Sequence, residues 1–311
     1  MAGVGVVFNP HARGHRRQPG RLDRLRAIVG GDGEVAATKS LADLDTALRR
    51  FHDSDVDVLV VAGGDGTAYH VLSRAVALWS SKDLPAVLPL CGGTINNLAR
   101  TLGTRRARPE TLLATVVANR RAGRSHDVLT RNLLVVNGSQ YGYIAGAGLI
   151  SGFLKLYYAG KHPGEVRALW LLARLGASYF LGTRAIDEVV AKLDAEIRCD
   201  GRVLPLASYT LILASTITDI GLGVRPFYAS DDPDGAFHVL AGNSTPGELL
   251  TRLWRFFRSR PADLASLCDC TTRSLEIEFA RPQPVTINGE VLAPMKSVRI
   301  ETGPQVRFIR G

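Results

Sequence analysis

The sequence predicts an α/β fold joined to a mostly β one: an N-terminal parallel sheet covered by helices, then an antiparallel second domain with helical inserts. Up to about Arg124, runs of consecutive β-formers alternate with stretches of helical period, the signature of a parallel sheet covered on both faces. Beyond Asp127 the signals are mostly strands, and Asp200-Gly201 and Asn288-Gly289 are hairpin dipeptides. In the first half, two strands also end in glycine turns, at residues 63–67 and 91–97. Ligands of open α/β sheets bind at such carboxyl ends, beside helix N-termini.

Residues 4–9 (VGVVFN) form a buried strand that stops at Asn9-Pro10, and a basic polar loop follows over residues 11–19. Residues 22–28 read as helix and 35–38 as a second strand. Leu41, Leu44, Leu48 and Phe51 recur at helical spacing. The central strand is 58–62, in the segment VLVVAGGDGT, and its glycine turn holds one carboxylate, Asp65. Residues 68–79 continue as a helix with Val71, Leu72, Ala75, Val76 and Trp79 as its apolar positions. A fourth strand, 86–90, enters the second turn, CGGTINN; helices at 98–102 and 109–119 complete the half.

In the second half, strands are predicted at 132–137, 140–145, 196–199, 209–214, 236–240, 274–279, 284–287 and 297–302. Helices are predicted at 165–181 and 246–259. Residues 132–154 carry no charge, yet their Asn-Gly-Ser-Gln turn and five glycines favour two strands over a membrane span.

At 311 residues the chain has ample core for two ordinary domains. A 46% hydrophobic, 22% charged composition is that of a soluble globular protein. Its net charge of +9 favours an anionic partner. No stripe of basic and aromatic residues on a strand platform argues for nucleic acid. The four cysteines have no metal-ligand spacing and read as reduced thiols of a cytoplasmic protein. Nothing reads as a signal peptide.

The glycines of each turn allow backbone to approach phosphate oxygens closely. Asp65 can hold a metal or a hydroxyl proton there, although a tight turn with an exposed Asp fits the local pattern equally well. In the second turn Gly92 and Gly93 free the backbone, Thr94 offers a hydroxyl and Asn96 opens the next helix. With Asn9-Pro10, these turns share one sheet edge, where they are able to enclose a nucleotide.

The ordered set FNPHARG (8–14), GGDGT (63–67), GGTINNLAR (92–100), NGSQYGYIAGAGL (137–149), RPFYASDDPDGAFHV (225–239) and INGE (287–290) resembles the diacylglycerol-kinase-like lipid kinases over nearly the whole chain. This group includes bacterial lipid kinases and the sphingosine and ceramide kinases. The resemblance implies a nucleotide-binding domain at 1–125, rejoined by 298–311, and a β-sandwich lipid domain at 126–297. It implies ATP and Mg²⁺ as cofactors, a lipid hydroxyl as phosphate acceptor and an ATP-dependent lipid kinase activity. It places Asn9, Thr38, Gly63, Gly64, Gly66, Thr67 and Thr94 along the nucleotide, with Asn96 as cap or ligand of the second loop, and Asp65 at the reacting phosphate. Asp234 matches a carboxylate that holds a structural Mg²⁺ in bacterial members, while a plain Asp-Gly turn fits it as well. A homodimer is plausible on the same grounds.

Three departures stand out. Asn97 and Tyr69-His70 occupy positions where many members have Asp and Asn-Glu. The usual C-terminal Asp-Gly-Glu is here Asn288-Gly289-Glu290. That Asp is the proposed general base in bacterial members, and an amide cannot take the proton. Asp65 or Glu290 is available instead. A degenerate member that binds lipid or nucleotide without turnover is the alternative, and an NAD kinase, which shares GGDGT, is a more distant one.

The two helical inserts are rich in large apolar residues. Around 249–259, Leu249, Leu250, Leu253, Trp254, Phe256 and Phe257 fill one arc, and Arg252, Arg255 and Arg258 the other. This suits peripheral contact with an anionic inner-membrane surface. A helix packed on the sandwich with a solvated basic face has the same pattern. His70, His126 and His162 lack a partner at a motif spacing and read as ordinary histidines.

Overall fold

The computed structural model describes residues 3–79, 84–93, 96–104, 107–159, 165–180, 192–221, 223–232 and 234–310. The chain divides into two compact units, Met1–Arg131 with Pro304–Gly311, and Asn132–Gly303.

In the first unit the chain runs β1 (Val4–Phe8), α1 (Arg13–Arg16), α2 (Arg21–Val29), β2 (Gly33–Ala37), α3 (Leu41–Asp53), β3 (Val58–Gly63), α4 (Asp65–Leu78), β4 (Ala86–Cys91), α5 (Asn97–Thr101) and α6 (Pro109–Arg121). The strands pair in parallel in the order β4-β3-β1-β2. The chain's closing residues add a parallel neighbour to β4, with Phe308 beside Val87. β1 and β3 are buried at every position, as strands covered on both faces must be. Val4, Val6, Phe8, Val58, Val60 and Leu88 pack with α2 and α6. α3 and α4 pack with each other and against β1 and β3, with Leu48, Phe51, Val71 and Leu72 buried. Ser40 and Asp43 form a reciprocal capping box that fixes the start of α3.

The second unit follows as β5 (Val128–Val136), β6 (Gln140–Gly142), β7 (Ile144–Gly148), α7 (Leu149–Tyr158), α8 (Glu165–Phe180), β8 (Leu193–Cys199), β9 (Arg202–Val203), β10 (Ser208–Tyr209), β11 (Leu211–Ser215), β12 (Phe237–Gly242), α9 (Pro246–Phe257), β13 (Leu267–Thr272), β14 (Ser274–Gln283), β15 (Val285–Ile287), β16 (Glu290–Val291) and β17 (Met295–Ile309). One sheet has the order β10-β8-β14-β17, and β5, β6 and β9 join its members. The other has the order β13-β12-β11-β7-β15-β16, antiparallel throughout. β8 alternates buried and outward residues, and its inward Cys199 meets Cys270 of β13 at 3.9 Å between sulfurs, so the two sheets face each other. All four cysteines are free thiols.

Several elements differ from the sequence-based expectation. The basic loop 11–19 contains the short helix α1, whose His15 turns inward onto the ring of Phe8. The strand expected at 140–145 is two strands, β6 and β7, separated at Tyr143. β7 ends at Gly148, whose φ of 78° turns the chain directly into α7. That helix was hidden because its apolar residues continue the uncharged run without a break in composition; only Ser151, Leu154 and Tyr157 face inward. Among the described residues no helix is long and apolar enough to cross a membrane.

Candidate active site

The parallel register brings four strand ends to one level. Phe8 pairs with Ala37 and Ala62, and Gly63 pairs with Cys91, so Asn9, Thr38, Gly64 and Gly92 follow at the same sheet edge. Hydrogen bonds then join the turns. The Asn9 N–H donates to the Ala62 carbonyl at 3.0 Å, and Gly92 N–H donates to Gly63 O at 2.8 Å. The Asn9 amide Nδ2 donates to the Thr67 hydroxyl at 2.9 Å, while its Oδ1 accepts from His11 N–H. Gly14 N–H reaches Gly92 O at 2.9 Å and so ties α1 to the second glycine turn. Asn96 closes that turn: its Oδ1 accepts from Gly93 N–H at 3.0 Å and its Nδ2 donates to Gly93 O at 3.1 Å. Its left-handed φ of 53° suits an asparagine.

Two of the glycines are required by contact. A methyl group on Gly93 would lie 2.4 Å from Gly64 Cα, and one on Gly64 would lie 2.8 Å from Gly93 Cα. The two turns therefore touch backbone to backbone. Asp65 is the first residue of α4, and Gly64 before it supplies no side-chain cap. This helix start carries the positive end of the macrodipole, which favours anionic groups. Gly66 and Thr67 continue its first turn, half-buried like Asp65. Thr38 is buried, with its N–H donating to Phe8 O at 2.9 Å, so it stabilises the β1–β2 end. Thr94 lies outside the described residues.

One residue of the site is absent from the sequence-based set. His15 is buried and stacked on Phe8 at 4.3 Å between ring centroids, and its Nδ1 donates to the Asn9 carbonyl at 2.8 Å. That bond fixes the tautomer and leaves Nε2 as a buried acceptor with no hydrogen-bond partner among the described residues, packed against Gly92. Burial lowers the His15 pKa below the ordinary imidazole value; the bond to Asn9 opposes this, and the Arg21 cation adds to it. The ring thus joins the Asn9-Pro10 turn to the second glycine turn, and its burial disfavours the charged form. Its only advance signal was a histidine among arginines two residues past Arg13. A depressed folded pKa means that its contribution to stability is complete above the unfolded value near 6.5. This contribution is lost as pH falls through 6.5 towards the folded pKa. Thermal unfolding from pH 7.5 to 5 should fall more steeply for the native chain than for His15→Gln; parallel curves would remove the effect.

In the second unit, Asn288 and Glu290 share the β15–β16 hairpin. Asn288 and Gly289 have φ of 51° and 89°, as a tight hairpin of this kind demands. Asn288 is buried; its Oδ1 accepts from Tyr143 N–H at 2.9 Å and Ile144 N–H at 3.1 Å, which fixes the amide orientation. Its Nδ2 is buried with no hydrogen-bond partner among the described residues. Glu290 is half-buried, across the hairpin from Ile287. Asp234 stands in a separate loop before β12, exposed, with its carbonyl held by Arg273 and its N–H bonded to Asp232 Oδ1 at 2.8 Å. Among the described residues no three His, Cys, Asp or Glu side chains converge on a common metal position. His70 lies beside Tyr69, His126 is half-buried, and His162 lies outside the described residues.

Comparison with known proteins supplies what geometry alone does not. Residues 3–129 match the diacylglycerol kinase catalytic domain. That segment belongs to the diacylglycerol kinase family. Solved structures share the fold across the full chain. A candidate diacylglycerol kinase of Bacillus anthracis str. Sterne is similar at 19% identity with a TM-score of 0.71, over 99% of this chain and 97% of that one. A diacylglycerol kinase of the same strain is similar at 18% identity and a TM-score of 0.66, with the same coverage. No curated protein matches the sequence. The catalytic-domain match holds all three turns, while Asn288, Glu290 and Asp234 lie outside it.

Proposed function

We propose that this diacylglycerol-kinase-like protein transfers the γ-phosphoryl group of ATP to the hydroxyl of a lipid. The observation that carries the reading is the pair of touching glycine turns at the N-terminus of α4, with Asp65 as its first residue, inside the segment that matches the catalytic domain. These residues fit a nucleotide. The helix start offers backbone N–H groups and a positive dipole to phosphate, and the glycines present no side chain to obstruct it. They also fit Mg²⁺, which needs only one or two carboxylates when phosphate oxygens and water complete its shell. We assign Asp65 to the metal at the phosphates and Asp234 to a separate, structural Mg²⁺. When bound, the metal neutralises charge that builds on the phosphoryl oxygens. Asn9, Thr67, Gly63, Gly64, Gly66 and Asn96 shape the phosphate-binding turns, and Thr38 borders them.

Phosphoryl transfer passes through a loose transition state, so positioning and charge stabilisation supply most of the acceleration. A weakened base is tolerable in such a site. Asn288 presents only an N–H donor at Nδ2 and cannot accept a proton; Glu290 orients the acceptor hydroxyl, and Asp65 takes its proton. Purified protein with labelled ATP, Mg²⁺ and diacylglycerol, sphingoid base, ceramide and monoacyl lipid in anionic micelles tests the reading. A labelled lipid supports it and names the acceptor; intact nucleotide binding with no labelled lipid overturns it.

A second reading, a member that binds nucleotide or lipid without turnover, is favoured by the buried amide of Asn288. Asn288→Asp separates the two. One carboxylate oxygen would keep the two backbone N–H bonds, and the other would replace Nδ2 as a general base. Since a positioned base contributes about 10²-fold or more, kcat should rise by up to roughly that factor and climb with pH as the carboxyl ionises. An unchanged rate in an active protein would mean that Asp65 already serves. A gain from no activity to measurable turnover would make the native chain the degenerate member.

A further inference from the structure

We propose that α8 and α9 form one surface that inserts into the interface of an anionic bilayer. α9 divides its apolar residues between two jobs. Leu249, Leu253 and Phe256 pack into the core of the second unit with Leu211, Leu213 and Leu240. Leu250, Trp254 and Phe257, spaced at i, i+4 and i+7, point outward instead, and Trp254 and Phe257 remain 46% and 48% exposed. α8 does the same on a larger scale. Ala168, Leu171 and Leu175 seat it on α7 through Leu154 and Tyr157. Val166, Leu169, Trp170 and Leu172 stay exposed, Val166 by 81% and Trp170 by 53%. The two helices lie against each other in the second unit, and each leaves large apolar residues exposed. Large apolar side chains left exposed in this number on neighbouring helices point to an interaction site.

Charge selects the occupant. Arg174 sits over the Trp170 ring at 5.4 Å, and Arg255 and Arg258 sit over Trp254 at 5.6 and 5.3 Å. The exposed tryptophans are thus each paired with arginine, aromatic plane beside cation. Of the nearby carboxylates, Glu248 closes the capping box with Thr245, and Asp263 pairs with Arg255, so Arg174 and Arg258 are the cations this surface offers to anionic headgroups. Apolar side chains between arginines match hydrocarbon beneath anionic headgroups, the pattern of interfacial helices. Among the described residues neither helix is long and apolar enough to span, and the proposed contact is one of lying on the surface. This deepens the lipid-kinase reading by naming where the acceptor's membrane is met, and it is tested without ATP.

The probe is vesicles of phosphatidylcholine, with or without an equal share of phosphatidylglycerol, some carrying brominated acyl chains. Two of the three tryptophans, Trp170 and Trp254, are on this surface, and Trp79 is buried in the first unit. The expected result is sedimentation with the anionic vesicles, weaker with pure phosphatidylcholine and in high salt, together with quenching by brominated lipid. Trp254→Ala with Phe257→Ala should weaken partitioning by roughly tenfold or more. Arg258→Gln should cost about fivefold on anionic vesicles alone. Val166→Gln with Leu169→Gln, at the most exposed positions, repeats the test where folding is least at stake. Vesicle binding that all these variants retain overturns the proposal, as does a dimer that they dissociate with no vesicle binding. Phosphorylation of a water-soluble short-chain lipid by a protein that ignores vesicles would overturn this surface and leave the kinase reading standing; vesicle binding without turnover would do the reverse.

Discussion

Asp65→Asn is expected to reduce lipid phosphorylation by about a thousandfold or more while the protein stays folded. The substitution keeps shape and removes the charge. An amide neither neutralises a metal ion nor accepts the acceptor's proton, so both roles assigned to Asp65 fail together. Single groups that stabilise the charge of a transferring phosphoryl are worth about 10³-fold or more, and removing a preorganised electrostatic partner elsewhere costs on the order of 10²–10³. The structural cost is small by comparison. Asp65 is the first residue of α4, where a carboxylate favours the helix by about 0.3–1 kcal/mol. Turnover with the acceptor that the lipid panel identifies, together with thermal unfolding, makes the comparison. Turnover within about tenfold of the native chain would deny Asp65 its role, because an effect that small lies below any electrostatic contribution of this kind.

The N-terminal half was legible because its physics is local. A parallel strand covered on both faces has no alternation to misread, so VGVVF and VLVVAG announce themselves by uninterrupted apolar residues. The glycine turns follow at their ends. What sequence did not reveal is how the turns hold one another. The contact of Gly64 with Gly93, and the bond from Asn9 to Thr67 across 58 residues, depend on register between strands. His15 was missed for a related reason. Its neighbours Arg13, Arg16 and Arg17 make the segment look solvated, and only the ring of Phe8 and the fold of α1 draw one member inward.

The second unit was legible in outline and blurred in detail. Hairpin dipeptides located Asn288-Gly289, because a left-handed pair of residues selects those types. The uncharged stretch from Asn132 concealed the change from β7 to α7, since no polar residue separates strand from helix there. The helix over Pro246–Phe257 was visible from its period, but its division of labour was not. Period shows that Leu249, Leu250, Leu253, Trp254, Phe256 and Phe257 share an arc; only packing shows which of them the core takes.

Gly93→Ala tests the joint between the turns, and its expected effect comes from one methyl group. The backbone of Gly93 is not left-handed, so alanine brings no conformational penalty there. The new carbon would instead meet Gly64 Cα at 2.4 Å. Both sides are backbone, so no rotamer change relieves the clash and one turn must retreat. Forced backbone shifts of this type cost about 1–3 kcal/mol, which lowers the melting temperature of the first unit. Function should suffer more than stability. Gly64 precedes Asp65, so its retreat moves the start of α4 relative to the second turn. A displacement near 1 Å in a positioning-dependent site costs about 10²-fold in rate. Gly31→Ala supplies the control, because a methyl group there meets nothing within 4 Å. That variant should unfold within about 0.5 kcal/mol of the native chain and retain full turnover. If Gly93→Ala instead matches Gly31→Ala in both measurements, the turns do not depend on mutual contact. Placement of the phosphate site would then rest on β3 and α4 alone.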